Sequence, residues 1–181
     1  MASPSPSAPS SSSLTIPVAE LVRRPGSRRR VTTEVPADGL ALSEASVPDG
    51  TPVAVDVVLE AMADGVTVNG TVRATWEAVC RRCLGPATGA IVAEVDELYQ
   101  QVVVSEDAFA FDGDVLDLGP MMRETVLVEL PVAPLCRTDC AGLCPQCGND
   151  RNRADCGHAQ TTTDLRWGAL DALRDQLGND S

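Results

Sequence analysis

Lysine is absent from this sequence. All 14 basic residues are arginine, and they stand against 26 acidic residues for a formal net charge of -12. A field of that sign opposes general nucleic-acid binding, which depends on a cationic surface that displaces counterions. Aromatic residues make up only 3% of the chain, so a core must be assembled from valine, leucine and alanine. There is no apolar run of about 18 residues, and hence no membrane-spanning helix is expected. The opening Met-Ala-Ser-Pro-Ser-Pro-Ser has neither a basic start nor an apolar stretch, so it does not read as a secretory signal. The seven cysteines are an odd number. An odd count without secretion argues against a disulfide framework and for zinc-bound thiolates in a reducing cytoplasm.

Cysteine is plentiful, and its placement dominates the chain. The stretch Cys136–His158 holds five of the seven cysteines and the sole histidine, and the other two form Cys80-Arg-Arg-Cys83. Cys80, Cys83, Cys136, Cys140, Cys144, Cys147, Cys156 and His158 are together enough for two tetrahedral zinc sites with nothing left over. Cys80/Cys83 and Cys144/Cys147 are C-x-x-C turns, in which backbone amides can point at thiolates. Arginine is unevenly spread: five lie within Arg23–Arg30, Arg81 and Arg82 stand inside the first C-x-x-C, and Arg137, Arg151 and Arg153 line the second half. These last five are candidate RNA contacts; the competing reading is solubility in a protein from an arginine- and alanine-rich genome.

In chain order, residues 1–13 are nearly all Ser, Pro and Ala and are expected to be a disordered tail. A short amphipathic piece is possible over Leu14–Val22, stopped by Pro25-Gly26. Arg30–Val35 alternates as a short strand, headed by arginines that read as a solvated edge. Pro52–Met62 alternates with Val53, Val55, Val57, Leu59 and Ala61 on one face; Asp64-Gly65 signals a hairpin turn. Val66, Val68, Val72, Ala74, Trp76 and Ala78 share a face in the next strand, where Gly70 suggests a bend or bulge. That strand runs into Cys80, and Ile91–Tyr99 reads as its return, which puts the first C-x-x-C at a hairpin tip.

Glu106–Asp117 reads as a solvated acidic loop carrying Phe109 and Phe111, with no base to partner Asp112 or Asp114. Pro120 opens a helix through Met121, Met122, Val126 and Leu130 that Pro131 and Pro134 end. Asp164 heads a final helix whose Trp167, Leu170, Leu173 and Leu177 form an apolar stripe expected to pack on its own domain. The expected fold is therefore α+β: an antiparallel β-sheet meander with a zinc-knuckle-bearing C-terminal part and two short helices. Its divisions are 1–13 (tail), 14–130 (β-rich, with the first knuckle and the following helix) and 131–181 (cysteine-rich segment and C-terminal helix).

The string Pro134-Leu-Cys136-Arg-Thr-Asp-Cys140-Ala-Gly-Leu-Cys144-Pro-Gln-Cys147-Gly, behind Asp117-Leu-Gly-Pro and Leu130-Pro131 and with Cys80-Arg-Arg-Cys83 upstream, resembles the YceD family of large ribosomal RNA subunit accumulation proteins. The resemblance covers roughly Leu14–Leu177. It departs at Asp164-Leu165, where relatives tend to have proline after the aspartate, a change that touches no ligand. It implies a bacterial, cytoplasmic, non-enzymatic factor for synthesis, processing or stability of 23S rRNA. Its partner would be an rRNA precursor or a large-subunit ribosomal protein, with no membrane and no small-molecule substrate. Relatives lacking the second cysteine group imply that Cys80, Cys83, Cys136 and Cys140 form one site. Cys144, Cys147, Cys156 and His158 then form the other, the rival being a site of Cys136, Cys140, Cys144 and Cys147. Two further functions compete: a zinc hydrolase or nuclease, disfavoured by a sulfur-rich ligand set and a lone histidine, and a redox or zinc-release sensor at Cys156/His158. A basic ribosomal protein docking on Asp56 and Glu60 is the alternative to an arginine contact with RNA.

Overall fold

Strict alternation of valine with polar residues commits the middle of the chain to a sheet with one face buried. The computed structural model describes residues 14–104 and 108–158, together with Leu170. The Ser/Pro tail and the closing helix with its Trp167, Leu173 and Leu177 stripe lie outside these residues. The chain divides into two compact units, Met1–Cys140 and Ala141–Ser181. Residues 131–140 fall in the first of these units.

The first unit is built on an antiparallel meander of β4 (Pro52–Ala61), β5 (Val66–Val79) and β6 (Pro86–Gln100). β2 (Arg28–Pro36) pairs antiparallel with β4, and β3 (Ala45–Ser46) pairs with the far end of β5. The sheet is not antiparallel throughout: β7 (Phe109–Ala110) lies parallel to the end of β6. Stacking of Phe109 on Tyr99, with ring centroids 5.2 Å apart, fixes that short pairing. The expected acidic loop therefore carries two strand fragments, because β8 (Val115–Asp117) pairs with β1 (Thr15–Pro17) in a separate two-stranded sheet. A one-turn helix, α1 (Ala19–Val22), follows β1.

Val53, Val55, Val57, Leu59, Val66, Val68 and Val72 are all fully buried on the inner face of the sheet. Met121, Met122 and Val126 of α2 (Gly119–Glu129) are buried in the same apolar cluster. Pro120 sits in the first turn of α2, the amide of Gly119 donates to Asp117 Oδ1 at 2.8 Å, and Leu130 turns extended ahead of Pro131. Gly70 is not a bulge. Register runs unbroken from Val57 through Gly70 to Val95. Its lack of a side chain serves close approach, since a Cβ there would run into the Asp56 carbonyl and come within 2.6 Å of Val57 Cα. β6 begins five residues before the expected start at Ile91. Its first turn-rich residues are held because the Trp76 ring lies over Gly89, as close as 2.5 Å to where a Cβ would stand.

Candidate metal centres

β5 and β6 stay paired out to Val79 and Pro86, so residues 80–85 form the tip of a long hairpin. There the Cys80 amide donates to the Gly85 carbonyl at 2.8 Å and the Leu84 amide to the Cys80 carbonyl at 2.9 Å, which closes the C-x-x-C into a tight turn. Residues 131–140 return to this tip. The Arg81 amide donates to the Pro134 carbonyl at 3.0 Å, and the Arg82 guanidinium to the Cys140 carbonyl at 3.1 Å. Cys80, Ala87 and Cys140 form a small buried cluster with Trp76, Ala78, Cys83 and Leu135 packed against it. The result brings Cys80, Cys83, Cys136 and Cys140 together, with all four ligand atoms within 4.8 Å of one another. Cys80 Sγ is 3.8 Å from Cys140 Sγ, and Cys83 Sγ is 3.7 Å from Cys136 Sγ.

The second unit repeats the turn. The Cys144 amide donates to the Asn149 carbonyl and the Gly148 amide to the Cys144 carbonyl, both at 2.8 Å. Asp150 organises the next stretch by accepting from the amide and side chain of Asn152, whose Oδ1 accepts from the Ala141 amide at 2.8 Å. Cys144, Cys147, Cys156 and His158 meet within the same 4.8 Å limit, and Cys144 Sγ lies 3.6 Å from His158 Nδ1. Each group could hold a metal ion. None of the seven cysteines is in a disulfide. The two groups assembled are thus a four-cysteine set and a three-cysteine, one-histidine set.

Thiol acidities are split within each group. The backbone N–H groups of Cys83 and then Cys136 hold Cys80 down at about 6, and those of Cys147 and Gln146 hold Cys144 at about 6. Their neighbours move the other way. Cys83 and Cys147 each accept a backbone N–H, from Gly85 and Asn149, yet desolvation and adjacent thiols leave both raised; Cys136 is pushed up to about 12 by desolvation and by Cys140.

Arg81 is exposed on the first knuckle, and Arg82 is exposed apart from its bond to Cys140. Arg137 pairs with Asp139 at 3.2 Å and Arg153 with Asp150 at 3.5 Å, while Arg151 is half-buried. The arginine cluster at the head of β2 is spent locally. Arg28 pairs with Glu60 at 2.9 Å and Arg30 with Asp56 at 2.7 Å, and the Arg29 guanidinium donates to the Pro17 carbonyl at 2.7 Å. Glu60 and Asp56 are therefore already partnered within the chain. Sequence reasoning missed Leu84, whose φ of 57° makes it the one non-glycine residue with positive φ among the described residues. The signal was available, because Leu84 follows Cys83 as Gly148 follows Cys147.

A β-meander whose hairpin tip and following segment bring cysteines together is a scaffold that could hold a metal ion at its tip. The profile described as large ribosomal RNA subunit accumulation protein YceD matches residues 68–174, which include all eight clustered ligands. The chain belongs to the YceD family. It is 33% identical over 168 residues to uncharacterized proteins of Mycobacterium tuberculosis and Mycobacterium bovis, covering 88% of this chain and 80% of each relative. It is 24% identical over 164 residues to the large ribosomal RNA subunit accumulation protein YCED homolog 1, chloroplastic, of Arabidopsis thaliana, covering 72% of this chain and 51% of that one. No solved structure matches the chain. Among the described residues no helix is long and apolar enough to cross a membrane.

Proposed function

We propose that the protein is a non-enzymatic, cytoplasmic ribosome-biogenesis factor that supports synthesis, processing or stability of 23S rRNA, with two structural zinc ions. The observation that carries the reading is the family match across residues 68–174, since the matched profile is named for large-subunit rRNA accumulation.

Zinc is favoured by the spacing of the ligand atoms. With Zn–S near 2.3 Å and Zn–N near 2.05 Å, a tetrahedral site has S···S edges of about 3.8 Å and S···N edges of about 3.6 Å. The separations of 3.8 and 3.7 Å in the first group and 3.6 Å in the second agree with these values. A disulfide would need sulfurs about 2.05 Å apart. When bound, the metal would act as a structural cross-link. Four protein ligands per site leave no position for a reactive water, which argues against a hydrolase or nuclease.

Direct contact with rRNA through the first knuckle is the finer part of the reading. Arg81, Arg82 and Arg137 offset Asp139 and the two residual negative charges of a zinc tetrathiolate, so the tip is locally near neutral in a chain of net charge -12. A phosphate backbone meets least repulsion there. Docking of a basic ribosomal protein on Asp56 and Glu60 would first have to displace Arg30 and Arg28. The test is depletion of the protein in its own host. The ratio of 23S to 16S rRNA should fall and be restored by the wild-type chain but not by Cys80→Ser. A ratio unchanged on depletion would remove the reading.

A further inference from the structure

The two C-x-x-C turns close in the same way, but the residue after the second cysteine is leucine in one and glycine in the other. In both, the amide of the residue after the second cysteine donates to the carbonyl of the first, from Leu84 to Cys80 and from Gly148 to Cys144. Both residues take positive φ, 57° for Leu84 and 74° for Gly148. Glycine adopts that conformation freely, whereas a leucine Cβ crowds the backbone there. Burial does not compensate the leucine: it is 65% exposed and belongs to neither apolar cluster, and Val79 at the other side of the knuckle is 59% exposed. Nothing between Glu77 and Glu94 is acidic, and Arg81 and Arg82 lie in that interval. A strained, uncovered apolar side chain, set on a turn that also carries Arg81 and Arg82, has the form of a contact point.

We infer that Leu84 is a contact residue for an unpaired nucleotide of large-subunit rRNA, its side chain packing on a base while Arg81 and Arg82 meet the adjoining phosphates. The inference rests on the proposed rRNA function. Unpaired segments are the fitting target because their bases are free to lie on an apolar side chain, while the bases of an RNA helix are stacked and shielded. The arginines supply position and salt dependence, and the leucine supplies preference for unpaired over duplex RNA.

The test uses the zinc-loaded full chain, purified 23S rRNA, and matched single-stranded and duplex RNA oligonucleotides, with affinity read by fluorescence anisotropy and stability by thermal melting. Leu84→Gly should raise the melting temperature while weakening 23S binding about tenfold, and the single-strand preference should vanish with an unchanged salt slope. Leu84→Ala keeps the crowded backbone and should lose the same affinity without the stability gain. Arg81→Ala with Arg82→Ala should instead lower the salt slope. If both leucine variants bind as wild type while the arginine pair binds weakly, the Leu84 assignment is overturned and the rRNA reading stands. If wild-type protein binds no rRNA, RNA is the wrong occupant and direct rRNA contact fails with it.

Discussion

Removing metal should detach residues 131–140 from the hairpin tip while the sheet stays folded. Fixing these residues costs about 1 kcal/mol or more of backbone entropy each, so on the order of 10 kcal/mol in all. Against that stand a few hydrogen bonds, among them Arg81 to Pro134, Arg82 to Cys140, the Cys140 amide to Arg137 and the Cys136 amide to the Cys80 sulfur. They contribute about 1 kcal/mol each. Leu135 packs on the small cluster around Cys80 and adds about another 1 kcal/mol through partial burial. The protein contacts alone thus fall short by several kcal/mol, and a structural zinc contribution on the order of 10 kcal/mol closes the difference. The sheet needs no such help, because Val53, Val55, Val57, Leu59, Val66, Val68 and Val72 are fully buried. Each contributes about 1.5–3 kcal/mol. Hydrogen exchange during titration with a zinc chelator is the assay. Amides of 135–140 should lose protection first, with a change in Trp76 fluorescence in a Trp167→Phe background. Protection in 53–61 and 66–74 should persist. Loss of both regions at one chelator concentration would refute the reasoning and make knuckle and sheet a single cooperative unit.

Two further outcomes follow from the sheet. Gly70→Ala forces a Cβ against the backbone of Asp56 and Val57 in a strand held on both sides, and should cost about 2–3 kcal/mol, a fall of roughly 10 °C in melting temperature; a fall under about 2 °C would show that β4 yields easily. Hydrogen bonds from Arg30 and then Thr32 hold the Asp56 carboxyl at about 2 against an ordinary 3.8. Because the folded pKa is the lower one, the stabilisation is complete above about pH 4 and is lost as pH falls through about 2. Asp56→Asn should therefore melt slightly below wild type at pH 6 and together with it near pH 2, the gap being small because the pair is exposed; a gap that widened on acidification would have the wrong sign.

The long strands were legible because valine alternation over Pro52–Ala61 and Val66–Val79 is itself the buried face, and the clustered cysteines and histidine were legible because soft side chains at C-x-x-C spacing stand out in the sequence. The fragments β1, β3, β7 and β8 span two or three residues each, too few to carry a period, and depend on partners distant in sequence. Pro86–Ala90 offers a single β-branched residue, Thr88, and there the Trp76 ring covers Gly89. Gly70 looked the same as a bulge glycine, since sequence does not distinguish an extra residue from a close backbone. The pairing of Asp56 and Glu60 with Arg30 and Arg28 follows from the β2–β4 register, which local pattern does not specify. Leu84 was overlooked because its type suits a core, although its place after Cys83 matches that of Gly148 after Cys147.

The central claim is two separate four-ligand zinc centres, and native mass spectrometry of the freshly purified chain tests it most directly. Wild-type protein should carry two zinc ions, Cys80→Ser should lose the ion of the first group alone, and Cys144→Ser the ion of the second alone. One zinc or none in the wild type, or both ions lost on either substitution, would contradict it.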